Sequence, residues 1–420
     1  MSNRRLCSLL LVLLLIFPGL PAMAADAGNT SPATDQQLLQ VVLLSRHNLR
    51  APLVEGGALQ QATPHTWASW EVPAGELTTK GGVLEVYMGR YLRQSLAADG
   101  VLPAHGCPAA GRFHAYANSL QRTQATAQFF IAGAFPGCAV AVEQRLQLGS
   151  MDPVFNPIIR RSDAAFAARA RQAMQRAEQA AALTQPLAEL ERISDYPHSA
   201  ACAGRPACHL AGARSTFSIA AGKEPSAYGP LALANGMVDA MLMERYQGVA
   251  ASQTGWGRLN TPAQWQALAR VRNGYQDILF GTPAVAREAA APLLAHLQGL
   301  FTDPQAARVT LLVGHDSNIG SLLAALGVGG YTLPGQDEKT PIGGLLRFER
   351  WGDRHTGEEQ LRLRYVYPTT AQLRDATPLD ADQPPGSVVL QLPGCGADAQ
   401  GFCRWPRFMA LMARAQAPAR

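Results

Sequence analysis

Two short stretches hold the residues best suited to covalent chemistry. The first, Ser45-Arg46-His47-Asn48-Leu49-Arg50-Ala51-Pro52, closes the apolar run 38–44 and sets one imidazole between two guanidiniums. Arginine presents a rigid fork of donors matched to phosphate oxygens, and a neutral imidazole nitrogen can attack phosphorus and carry the phosphoryl group. The second, Gly314-His315-Asp316-Ser317-Asn318, follows the apolar run 308–313 and adds another imidazole and a carboxylic acid. A third contributor is Arg122 in Asn118-Ser119-Leu120-Gln121-Arg122-Thr123, where a helix is predicted to begin with Ser119 as its cap. Each stretch alone is equally at home on a solvated turn. Together their residue types make a trap for a phosphoryl group with a nucleophile inside it.

Such residues must be brought together by the elements that carry them. Both histidines leave strand-like runs, and ligands in open α/β sheets gather beyond the carboxyl ends of strands, so the two exits are predicted to face one crevice. The segment 319–326, stopped by Gly327, reads as a helix with Asp316 or Ser317 near its N-terminus, where anions are favoured. Strands 38–44 and 112–117 flank a helix over 79–98 whose apolar face includes Leu84, Tyr87, Tyr91 and Leu92. Between about 135 and 300 the pattern turns helical, with helices predicted over 163–183, 230–246 and 261–280, the last opened by Thr261 and Pro262. Within it, 195–228 is rich in Pro, Gly and Ser and reads as a loop able to overhang the crevice. The sheet pattern resumes at 308–313, continues in a hairpin over 345–351 and 361–367, and ends with a strand over 387–392. The predicted fold class is thus α/β, a mixed-sheet α/β domain (25–134 and 301–420) with a mainly α-helical inserted second domain (135–300).

Composition narrows the function classes. The chain has 420 residues, 47% hydrophobic and 16% charged, with a net charge of +5. That is enough apolar sequence for a large core and for more than one structural region. No basic cluster exceeds Arg160-Arg161, so nucleic acid is not an expected partner. Residues 1–24 read as a signal peptide: Arg4-Arg5, an apolar run over 9–17, Pro18, then Ala22-Met23-Ala24 before Ala25. The run is shorter than the roughly 20 residues that span a bilayer, so no membrane association is expected of the mature chain. Arg4 and Arg5 leave with a leader that holds no acid, so the mature chain carries +3. Cys7 leaves too, and the even cysteine count that remains in an exported chain favours disulfides over metal ligation. Proximity favours Cys107 with Cys138, Cys202 with Cys208 and Cys395 with Cys403, although sequence alone leaves other pairings open. His209, beside Cys208, reads as an exposed loop histidine because no second histidine lies at ligand spacing. Glu358-Glu359 and the pair Asp380 and Asp382 read as solvated loop acids, and neither a metal nor a cofactor is expected.

The residues resemble the histidine acid phosphatases, whose pattern is Arg-His-x-x-Arg-x-Pro near the start and His-Asp near the end. Arg46-His47-Asn48-Leu49-Arg50-Ala51-Pro52-Leu53, the stretch from Leu77-Thr78-Thr79-Lys80-Gly81-Gly82 through Gly89, and Gly314-His315-Asp316-Ser317-Asn318-Ile319 are similar to the periplasmic glucose-1-phosphatase branch, a relative of bacterial phytases. Asn273-Gly274-Tyr275-Gln276-Asp277 and Thr340-Pro341-Ile342-Gly343-Gly344 extend the likeness over nearly the whole mature chain. Asn48 stands where the wider family has glycine, as in that branch. The resemblance implies a periplasmic phosphomonoesterase with its site between an α/β and a helical domain. It implies His47 as nucleophile and Asp316 as proton donor, with Arg46, Arg50, Arg122 and His315 holding phosphate oxygens. Glu224, in Lys223-Glu224-Pro225, matches a glutamate lining the substrate pocket. Glucose 1-phosphate is the implied substrate, with limited attack on phytate. The alternatives are a general acid phosphatase or phytase, and a non-catalytic sugar-phosphate binding protein. Two-histidine phosphoglycerate mutases also form a phosphohistidine, but they usually carry Arg-His-Gly and lack a leader. Oligomeric state is not readable from the chain.

Overall fold

The computed structural model describes residues 35–53, 57–396, 398 and 400–417; the predicted leader and Cys7 lie outside them. In chain order the first elements are β1 (Gln36–Arg46), α1 (Ala58–Gln61), α2 (Thr79–Ala98), β2 (Phe113–Ala117), α3 (Gln121–Ala134) and β3 (Val142–Glu143). Then come α4 (Ala164–Ala180), α5 (Thr184–Ser194), β4 (Thr216–Ser218), β5 (Ser226–Tyr228), α6 (Pro230–Gln247), α7 (Pro262–Leu279) and α8 (Pro283–Thr302). The last are β6 (Val309–Gly314), α9 (Asp316–Ala325), β7 (Leu345–Asp353), β8 (Glu359–Tyr367), α10 (Thr370–Asp375), β9 (Gly386–Val389), β10 (Phe402–Arg404) and α11 (Trp405–Gln416).

An unbroken apolar run such as Val41-Val42-Leu43-Leu44 is the mark of a strand covered on both faces, because successive side chains point to opposite sides. Val41 and Leu43 pack with Met88 and Leu92 of α2 and Phe130 of α3. Val42 and Leu44 pack on the other face with Leu293 and Leu297 of α8, Leu322 of α9 and Phe408 of α11. The sheet runs β10-β8-β7-β1-β6-β2-β3, with β9 beside β8. β6 pairs in parallel with β1 and β2, whereas β7 pairs antiparallel with β1 and β8, so the sheet is mixed, as the sequence predicts. A third cluster joins Leu190, Met237, Met241 and Leu268 of the helical stretch to Leu49, Leu84 and Ile342.

The elements from Gln36 onward form one compact unit. Cys107–Cys138, Cys202–Cys208 and Cys395–Cys403 are disulfides, the pairings that proximity favours. Two expectations shift. The last predicted strand, 387–392, is shorter, because after Val389 only the Leu390 N–H continues toward β8, donating to the Leu363 carbonyl. The segment 195–228 is not all loop: β4 and β5 pair antiparallel within it. Among the described residues no helix is long and apolar enough to cross a membrane.

Candidate active site

The register of the parallel strands decides which residues meet. Arg46, the last residue of β1, lies opposite Gly314, the last of β6, and Ala117, the last of β2, lies opposite Val313. The residues that follow therefore emerge at one sheet edge. The His47 N–H donates to the Gly314 carbonyl and the Asn118 N–H to the Val313 carbonyl, each at 3.0 Å. The two strand exits come together, with the His47 and His315 ring centroids 5.5 Å apart. Arg122 sits in the first turn of α3, which follows β2 directly. Ser119 is not its cap: Leu120 occupies that position without a side-chain bond. Ser119 is instead turned toward the neighbouring loop, its Oγ accepting from the Leu146 N–H at 3.3 Å.

His47 is buried, and its Nδ1 lies 2.9 Å from the Asn48 carbonyl. A carbonyl only accepts, so Nδ1 carries the proton and Nε2 keeps its lone pair. Burial, with Arg122, Arg46 and Arg50 nearby, holds the imidazole pKa well below its ordinary value, so the ring is neutral. His315 is pulled down to about 3 by burial and Arg122, against the pull of Asp316. Its Nε2 lies 2.7 Å from the Asn118 Nδ2. The Asn118 Oδ1 accepts from the backbone N–H groups of Ser119 and Asp152, which fixes the amide's orientation and makes the His315 Nε2 the acceptor.

Arg50 and Arg46 each have a carboxylate behind them, and all three guanidiniums keep idle donors. Arg50 donates from Nη1 and Nη2 to the two oxygens of Asp239, both at 3.0 Å, and its Nε has no partner. Arg46, fully buried, donates from Nη1 to the Thr340 carbonyl and to Glu338 at 3.4 Å, leaving Nε and Nη2 without hydrogen bonds. The Arg122 Nε is also unpartnered. Buried donors left unpaired cost stability, and here they belong to three arginines at one sheet edge. That arrangement is built to receive anionic oxygens.

Asp316 opens α9, and its Oδ1 accepts from the Ser317 N–H at 2.8 Å. Its Oδ2 accepts from the Gln276 side chain at 3.1 Å and from Arg272. Burial pushes the carboxyl up, but Arg46, Arg272, His315 and Arg50 more than offset this and hold it far below the usual carboxylate range. Glu224 lies just before β5 and is exposed. Partial burial and the charge of Asp316 raise its carboxyl, with Arg122 opposing. His209 is exposed, 3.4 Å from Glu191.

Sequence reasoning missed Arg272, Asp239 and Glu338, all buried. The signal for two of them was a charge where an apolar residue belongs. Asp239 interrupts Met237-Val238-Asp239-Ala240-Met241, and Arg272 shares the buried side of α7 with Leu268 and Val271. Glu85 of α2 was missed as well. It is fully buried, accepts from the Asn48 Nδ2 at 2.7 Å, and is pushed up to about 8 by burial, with that hydrogen bond opposing.

A family model described as histidine phosphatase superfamily (branch 2) matches residues 37–201. The chain is 48% identical over 388 residues to a glucose-1-phosphatase of Salmonella typhimurium, covering 92% of this chain and 94% of that protein. It is 35% identical over 404 residues to phytase AppA of Escherichia coli, covering 91% and 93%. Among solved structures, the apo form of Hafnia alvei phytase superimposes with a TM-score of 0.85 at 32% identity, over 93% of this chain and 99% of that one.

Proposed function

Because the chain belongs to the histidine phosphatase superfamily, branch 2, we propose that it is an acid phosphatase releasing phosphate from glucose 1-phosphate and related sugar phosphates through a phosphohistidine. The observation that carries this reading is the neutral His47 with a free Nε2 lone pair, set among the unpartnered donors of Arg46, Arg50 and Arg122. In the proposed sequence the Nε2 attacks phosphorus in line as the bond to the ester oxygen breaks. Asp316 delivers its proton to that oxygen, and the sugar alcohol leaves. The arginines and His315 hold the three equatorial oxygens, whose charge needs fixed donors in the transition state. Water then attacks the phosphohistidine, returning a proton to Asp316 and freeing the Nε2.

The cations around Asp316 keep it ionised in the empty site, so its proton must arrive with the substrate. A phosphomonoester monoanion carries one, and it loses it near pH ~6. Activity should therefore be best in acid and fall toward neutral pH. Glu224 supplies an acceptor for sugar hydroxyls and repels additional phosphates, which favours a singly phosphorylated substrate. Similarity to a phytase supports a second reading, limited attack on phytate. The leader pattern and three disulfides support a periplasmic location.

Rapid quenching with radiolabelled substrate, alongside a phosphate-release panel, tests the proposal. An acid-labile phosphoprotein should form within a turnover and be absent from His47→Ala. Glucose 1-phosphate should lead the panel, and phytate should yield a single phosphate. Turnover without a phosphoenzyme would overturn the mechanism, and release of several phosphates would make phytase the better description.

A further inference from the structure

A proton donor held ionised by its neighbours has to be held lightly enough to take up a proton when substrate binds. Arg272 is the buried group placed to set that balance. It rises from α7, 6% exposed, donates to the Asp316 Oδ2, and is anchored behind by the Asn235 side chain at 3.0 Å. Its Nη2 lies 3.9 Å from Asp239, the partner of Arg50, and its Nε 3.8 Å from Glu338, the partner of Arg46. One guanidinium thus lies against the carboxylates behind Arg46 and Arg50 and bonds the carboxylate assigned to the leaving group. Substrate phosphate would meet Arg46, Arg50 and Arg122 through idle donors, whereas the Arg272 bonds are already taken up by protein acceptors.

We propose that Arg272 is a positioning residue for proton delivery, fixing the Asp316 carboxyl toward the leaving oxygen and setting how readily it holds a proton in the loaded site. The inference rests on the reading of Asp316 as the proton donor. Other charged and titratable groups face Asp316 from every side: Arg46 at the end of β1, Arg50 in the loop beyond it, Arg122 from α3, His315 beside it, Glu224 just before β5 and Tyr365 from β8. Bound phosphate offsets the three arginines that touch it. Of the two guanidiniums on the Asp316 Oδ2, Arg46 at 3.5 Å is among those that phosphate offsets, whereas Arg272 keeps its hydrogen bond to the carboxyl without touching phosphate. An opposite charge at that range lowers a carboxyl pKa by about 1–3 units, so removing it raises the pH at which the loaded enzyme loses its proton.

The measurement is kcat against pH, which reports the loaded enzyme, for glucose 1-phosphate and for nitrophenyl phosphate, whose leaving group needs no proton. Arg272→Gln should move the alkaline fall of kcat for glucose 1-phosphate upward by about one pH unit or more, without moving the nitrophenyl phosphate profile. Arg272→Lys, which keeps the cation, should leave the fall near its original position. If Arg272→Gln does not fold, Asn235→Ala carries the test by releasing the far arm of the guanidinium, and the fall should move upward by less. Equal loss on both substrates at every pH, with the fall unmoved, would overturn the role of Arg272. A wild-type profile with no alkaline fall on glucose 1-phosphate would instead remove Asp316 as donor, so the two failures are distinguishable.

Discussion

The arginines around His47 and Asp316 favour the deprotonated form of both, with burial acting with them on His47 and against them on Asp316. The nucleophile is therefore ready in the empty site, and the acid forms only when substrate brings a proton. Sugar alkoxides are poor leaving groups, so Asp316→Asn should slow glucose 1-phosphate turnover by ~10²- to 10⁴-fold and nitrophenyl phosphate turnover far less, as read by steady-state kinetics on both. A second residue-scale prediction concerns Glu85. Its carboxyl, pushed up to about 8, is neutral at acid and neutral pH. An acid with a raised folded pKa contributes stability that is full below its unfolded value of roughly 4.3 and is lost as pH rises through the folded value. Glu85→Gln keeps an acceptor for the Asn48 amide and never ionises, so melting temperatures from pH 5 to 9 should decline less in the variant than in wild type. Parallel declines would show that Glu85 is not the group involved. At this scale the sequence is most legible where chemistry follows a strand exit directly, as at Arg46, His47, Arg50, His315 and Asp316. Arg272, Asp239 and Glu338 lie far along the chain from the residues they touch. A sequence marks a lone charge on an apolar helix face as unusual but does not name its partner.

The α2–α3 pair shows how elements deliver those residues. A Cβ at Gly89 would overlap the Phe130 carbonyl, and one at Gly133 would overlap the Val86 carbonyl, so the two helices touch backbone to backbone. This contact fixes where α3 begins and hence where Arg122 sits. Gly133→Ala must push the helices apart. It should cost about 1–3 kcal/mol in urea unfolding and raise KM through displacement of Arg122. Gly299, exposed near the end of α8 with nothing near its missing Cβ, is the control. Gly299→Ala should stabilise by about 0.4–1 kcal/mol through helix propensity and the less flexible unfolded chain. Long elements with a clear period, such as β1, α2, α6 and α7, were legible in the sequence. β3, β4, β5 and β10, of two or three residues each, were not, because so few positions carry no period and tertiary pairing alone defines them.

Over the whole molecule, the candidate site draws on residues 46–50, 122, 272 and 315–316, so no continuous part of the chain contains it. The division we propose, α/β over 25–134 and 301–420 with a helical part over 135–300, is therefore one of architecture rather than of independent folding. Leu49, Leu84, Ile342 and Leu373 pack in the same apolar cluster as Met174, Leu190, Met237 and Leu268, so melting the helical layer would strip apolar cover from the loop that carries His47. Calorimetry should show one transition, and inorganic phosphate, bound by arginines near both layers, should raise it as a single peak. A ligand binding only the folded state stabilises by about 2.7 kcal/mol at a hundredfold excess over its Kd. Arg50→Ala removes a phosphate donor and leaves Asp239 buried without its partner, so it should lower the transition and abolish most of the shift. Two peaks, with phosphate moving only one of them, would mean that the helical layer unfolds on its own and that the shared cluster is too weak to couple it to the sheet.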